Sequence, residues 1–124
     1  MSEAPISLYS SLSTGVILSV KVYVPVEKQP EFFKFFRPAY DAVIAEPECR
    51  FFFVTQNPQE PEAISWVEGW TKGVEWLQEV QLKKPYYQPY IEATEPWFSK
   101  PREIGLSFPK EGLVNFKLPE GYGA

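Results

Sequence analysis

The run from Glu46 to Trp70, EPECRFFFVTQNPQEPEAISWVEGW, constrains this chain more than any other stretch. Two aromatic-rich segments flank a proline-rich turn. In the second, Ile64, Trp66, Glu68 and Trp70 alternate with Ser65, Val67, Gly69 and Thr71. Residues two apart in a strand share a face, so Glu68 sits between two tryptophans on a surface that reads as buried. Desolvating a lone carboxylate is costly, so the group must be hydrogen-bonded, paired or neutralised. Glu68 is therefore either a structural centre or an acid/base group with a tuned pKa.

The pattern on either side extends the fold. Val16, Leu18, Val20, Val22 and Val24 face one way and Ile17, Ser19, Lys21 and Tyr23 the other, the signature of a strand that Pro25 ends. Pro30 suits the first turn of a helix in which Phe32, Phe36, Tyr40 and Ile44 recur every four residues. Pro38 removes the donor for the Lys34 carbonyl, which predicts a kink or two short helices. Strands follow over about residues 50–56 and 64–71, joined as a hairpin. A helix over about 73–82 carries Trp76, Leu77 and Val80 on one side, Pro85 breaks it, and a short helix over 86–94 holds Tyr86, Tyr87 and Tyr90. Ile104, Leu106 and Phe108 alternate as a last strand. Residues 1–15 read as a loose arm, 16–108 as one domain, and 109–124 as a tail whose LVNFKL piece can strap onto the body or a partner.

This order predicts an α+β sheet covered by helices on one face. Successive side chains from Phe51 to Val54 point oppositely, so the uncovered face is apolar too. A symmetric homodimer packed sheet to sheet is the economical cover.

Composition narrows the chemistry. The 124 residues suit one domain, and a net charge of −4 with three arginines argues against nucleic acid. One cysteine, Cys49, precludes an internal disulfide framework and fits a reducing compartment. The N-terminal residues carry no signal-type pattern and no run suits a membrane span, so a cytoplasmic setting is expected. With no histidine, Ser-His and Cys-His dyads and histidine-held zinc, haem or iron are out of reach. One aspartate, Asp41, and no glycine-rich nucleotide motif leave no expected metal and no expected cofactor.

The pieces EPECRFFF, ISWVEGW and WLQEVQLKKPYYQPYI resemble the antibiotic biosynthesis monooxygenase (ABM) domain, a dimeric α+β barrel family, and its stand-alone fungal members in particular. The resemblance covers about residues 16–108, with Glu46 and Cys49 before one strand and Glu68 and Trp70 closing the next. It implies a ferredoxin-like, four-stranded antiparallel sheet, dimerisation through the sheets and a pocket between sheet and helices. Relatives include cofactor-independent oxygenases that make quinones, haem-degrading enzymes, and polyketide cyclases or isomerases. The haem-degrading branch has a histidine ten residues after the strand-ending tryptophan; Val80 stands there, which disfavours haem degradation. The family's usual glycine before the cysteine is Glu48.

Each candidate residue has a functional and a structural reading. Glu68 is the candidate base, or a structural hydrogen-bond acceptor. Trp66 and Trp70 can wall an aromatic substrate or simply fill core. Tyr86, Tyr87 and Tyr90 can hydrogen-bond a substrate carbonyl or pack amphipathically. Ser19 and Lys21 can be polar pocket contacts, and Arg37 can orient an anionic substrate, or all three are solvated side chains. Cys49, with no activating group nearby, reads as an inert thiol.

The leading expectation is a homodimeric, cofactor-independent monooxygenase of secondary metabolism that uses molecular oxygen on a phenol or anthrone. The alternatives are a non-redox polyketide cyclase, isomerase or dehydratase, and a non-catalytic small-molecule-binding barrel.

Overall fold

A computed structural model describes residues 15–115 and 117. Strand β1 (Val16–Tyr23) is followed by helix α1 (Gln29–Ile44), strands β2 (Cys49–Thr55) and β3 (Ala63–Trp70), helices α2 (Val74–Glu79) and α3 (Tyr87–Thr94), and strand β4 (Lys100–Ser107). The four strands form one antiparallel sheet in the order β2-β3-β1-β4. The valine-rich β1 therefore lies at the centre, where both its edges are paired. The element order matches expectation, and the last strand starts earlier than its clearest alternation suggested.

Register decides which side chains meet. Val16 lies opposite Trp70, Leu18 opposite Glu68, Val20 opposite Trp66 and Val22 opposite Ile64. Directly opposed residues share a face, so the valine stripe and the Trp-Glu-Trp stripe form one surface. Phe32, Phe36, Ala39 and Val43 of α1, Leu77 of α2 and Tyr90 of α3 close over it as the core. Each fully buried large apolar side chain contributes about 1.5–3 kcal/mol.

Two helical phases differ from the sequence expectation. The inward stripe of α1 steps by four, three and four residues, as 3.6 residues per turn requires. Tyr40 is consequently only half-buried, and Ile44 is 46% exposed. Pro38 lies inside α1, which runs as a single element rather than two short helices. Beyond α2, Val80 is 44% exposed and Gln81 is buried instead, because Gln81 follows the inward Leu77 by four positions.

The other face of the sheet carries Ser19, Lys21, Phe51, Phe53, Ser65 and Val67, with Phe53 57% exposed. Gly69 is required there: a Cβ at that position would run into the Phe51 ring lying across the strand. Pro109, Lys110, Leu113, Val114 and Asn115 of the tail line a cavity with Ile17, Phe51 and Phe53, so this part of the tail lies against the open face. The expected arm falls outside the described residues except for Gly15, as does part of LVNFKL. Among the described residues no helix is long and apolar enough to cross a membrane.

Candidate functional site

The face that holds Glu68 is the helix-covered one. Its side chain is 6% exposed and is gripped from both directions along its own strand. Trp66 Nε1 donates to Glu68 Oε2 at 2.9 Å, and Trp70 Nε1 donates to Glu68 Oε1 at 3.0 Å. The geometry follows from the sequence. Residues i−2 and i+2 stand beside residue i on a pleated strand, and an indole is long enough to turn its N–H back to the middle.

Burial pushes the Glu68 carboxyl up to about 7, although both indole donors pull it down. Desolvation wins because neutral N–H donors only partly replace the water lost by a full charge. The result is a carboxyl that gains and loses a proton near neutrality inside an aromatic shell. Phe36 sits 5.0 Å from the Trp66 ring, Phe52 stacks on the same ring at 6.5 Å, and Trp76 lies 5.8 Å from Trp70. Each carboxylate oxygen has two lone-pair sites, so the indoles leave half of the acceptor capacity open. Cys49, opposite Trp70, has its thiol pushed up to about 11 by burial and by the Glu68 charge, so it stays protonated.

The three candidate tyrosines separate. Tyr90 packs edge-on against Phe32 and Phe36 in the core, and burial raises its phenol. Tyr86 and Tyr87 belong to a polar cluster built around Gln81, a residue whose role the sequence reading did not foresee. Gln81 Nε2 donates to the Tyr86 hydroxyl at 2.6 Å and to the Tyr87 hydroxyl at 2.8 Å. Tyr86 in turn donates to Glu46 Oε2 at 2.8 Å, where Lys84 Nζ also donates at 2.8 Å. Lys84 first, and Tyr86 second, hold the Glu46 carboxyl below its usual range. Burial and the Glu46 carboxylate push Tyr86 up to about 12, and burial raises Tyr87 further. Gln81 Oε1 is buried with no hydrogen-bond partner among the described residues.

Ser19 and Lys21 do not join Glu68. They stand on the opposite face of the sheet, beside a cavity of about 450 Å³ that Ser65, Thr55 and Glu103 also line. Lys21 Nζ pairs with Glu60 Oε1 there at 3.0 Å. Period-two alternation enforces the separation once Leu18 is opposed to Glu68.

Arg37 lines a different and larger groove. About 670 Å³ opens between α1 and β2, walled by Phe33, Lys34, Phe36, Arg37, Tyr40 and Val54. Glu68 is not on its wall. Phe36 is the shared element, since it faces the groove and also touches the Trp66 ring.

The fold and site define a ferredoxin-like α+β protein with a buried, indole-clamped carboxyl. No family model matches the chain. It is 35% identical over 92 residues to the Pestalotiopsis microspora protein named "Putative monooxygenase GME11364", a match that covers 74% of this chain and 77% of that protein. The structure named "putative antibiotic biosynthesis monooxygenase" from Caulobacter crescentus CB15 superimposes with a TM-score of 0.68 at 20% identity, covering 81% of this chain and 94% of that one. SnoaB, a cofactor-independent oxygenase from Streptomyces nogalater, gives 0.65 at 16% identity over 81% of this chain and 97% of its own. The chain belongs to the antibiotic biosynthesis monooxygenase (ABM) family.

Proposed function

We propose that this protein is a cofactor-independent monooxygenase that converts a phenol- or anthrone-type, polyketide-derived substrate to a quinone, with Glu68 as the base. The observation that carries this reading is a carboxyl poised at about 7 within an aromatic shell, in a chain similar to a monooxygenase. Glu68 takes the acidic C–H or phenolic proton. The resulting anion passes one electron to dioxygen, the radical pair joins as a peroxide, and loss of water leaves the new carbonyl. One oxygen atom enters the substrate and the other leaves in water, so the substrate itself supplies every electron. The protein has to bind, orient, exclude water and hold one proton.

The homodimer belongs to the same proposal. A second copy would cover the open face, where Phe53 and the neighbouring Phe51 are left partly bare. The free, protonated Cys49 suits a cytoplasmic setting.

One observation favours a second reading. Both Glu68 oxygens already accept an indole proton, and the groove does not reach them, as a structural carboxyl in a non-catalytic barrel would require. Oxygen uptake with an anthrone panel, read alongside quinone absorbance and light scattering, separates the two. Uptake by the dimer that falls in Glu68→Gln is the expected result. No uptake above the enzyme-free control, with the fold intact, would refute the oxygenase reading.

A further inference from the structure

We propose that the groove between α1 and β2 binds a flat aromatic carboxylate, with its ring among Phe33, Phe36, Tyr40 and Val54 and its anionic group at Arg37 and Lys34. This deepens the reading that the chain takes an aromatic molecule, and it names the charge of that molecule.

The groove's size fits a small-molecule pocket: about 670 Å³ lies within the usual range of such clefts. Its aromatic wall is braced rather than loose. The Phe36 ring stacks on Tyr40 at 6.2 Å with 28° between planes, and Phe33 meets Phe36 edge-on at 6.3 Å. Tyr40 is held in turn against Phe52 at 5.0 Å. Such a slot accepts a planar ring with little rearrangement.

Charge supplies the second half of the argument. The chain as a whole carries −4, so its average field repels anions. The two charged residues on the groove wall are nevertheless both cations, Lys34 and Arg37. Arg37 Nε donates to Asp41 Oδ1 at 3.0 Å, and its guanidinium lies 5.4 Å from the Tyr40 ring centre. These two contacts orient the fork. Among the described residues its terminal nitrogens have no hydrogen-bond partner, and neither does the Lys34 ammonium. Counting Asp41, the local balance is +1, which suits a monoanion better than a phosphate dianion. An Arg fork also matches the two oxygens of a carboxylate.

Helical spacing explains why one element carries both functions. Phe32, Phe36, Ala39 and Val43 make the inward stripe of α1, and Phe33, Arg37 and Tyr40 form the adjoining stripe that looks toward β2. A ring held there contacts Phe36, which alone separates it from Trp66, and Trp66 in turn bonds Glu68.

Calorimetric titration of the full chain with 2-naphthoate and with the neutral 2-naphthamide tests the proposal. Neither probe is an oxygenase substrate, so the result is independent of turnover. Naphthoate should bind about fivefold more tightly at low salt, as expected for exposed cations. That preference should fall to about one in the Lys34→Gln, Arg37→Gln double variant, both positions being exposed and tolerant. Val54→Trp, which fills the groove from the edge strand, should weaken both ligands. Equal affinity for the two probes, a preference that survives the double variant, binding indifferent to Val54→Trp, or no saturable binding at all would overturn it. Anthrone-dependent oxygen uptake that persists despite such a failure would leave the oxygenase reading standing. Charge-selective binding without uptake would remove that reading and keep this one.

Discussion

Replacing Glu68 by glutamine should change the pH dependence of stability more than its average value. In the folded protein the Glu68 carboxyl is raised from 4.5 to about 7. The folded state thus holds a proton that the unfolded state has released between those values, and stability falls as pH rises through that window. At about 1.36 kcal/mol per pKa unit, the full penalty is about 3 kcal/mol, complete above pH 7 and absent below the unfolded value. Glutamine never ionises and so escapes this penalty. It carries one acceptor oxygen, however, and leaves one of the two buried indole N–H groups unpaired, at a cost of about 1–3 kcal/mol at every pH.

Urea unfolding at pH 5 and pH 8, followed by tryptophan fluorescence, separates the two effects. The variant should be the less stable protein at pH 5. The difference should then move by about 2.5 kcal/mol in the variant's favour by pH 8, with the urea slope unchanged. Ordinary carboxylates titrate in both proteins and cancel in the difference. The window is otherwise quiet, since the chain has no histidine and Cys49 is pushed up to about 11. A difference that is the same at both pH values would show that Glu68 is not raised, and the case for it as a base would fall with that result.

Two further outcomes follow from other parts of the molecule. Glu46 should show the opposite sign: its carboxyl is lowered by Lys84 and Tyr86, so its contribution is present above the ordinary carboxylate pKa and lost as pH falls through the depressed one. Glu46→Gln should therefore narrow the stability gap to wild type on acidification, and a gap that widens would contradict the assigned pairing. Gly69→Ala should cost about 1–3 kcal/mol by driving a methyl into the Phe51 ring, and most of that cost should vanish in the Phe51→Ala background. Thermal melts of the four proteins test it, additivity being the result that would count against the contact.

Much of the candidate site was written in local spacing. The placement of Trp66, Glu68 and Trp70 on one strand face needs only a repeat of two, and the four-residue step from Leu77 to Gln81 already put Gln81 inward. The second signal was available but overlooked, because an apolar Val80 attracts a core assignment and a glutamine does not. The polar cluster was less legible. Glu46, Gln81, Lys84 and Tyr86 come together from segments up to 40 residues apart, and no periodicity records such a meeting. The groove around Arg37 was also hidden, since Val54, the wall that faces α1, comes from another element.

Alternation and helical phase, which are local steric properties, were enough to set the strands, the helices and the company Glu68 keeps along its own chain. Pairing register is a long-range choice, and it alone opposed Leu18 to Glu68. That choice turned the carboxyl toward the helices, set Ser19 and Lys21 on the far side of the sheet, and removed enough water from Glu68 to raise its pKa.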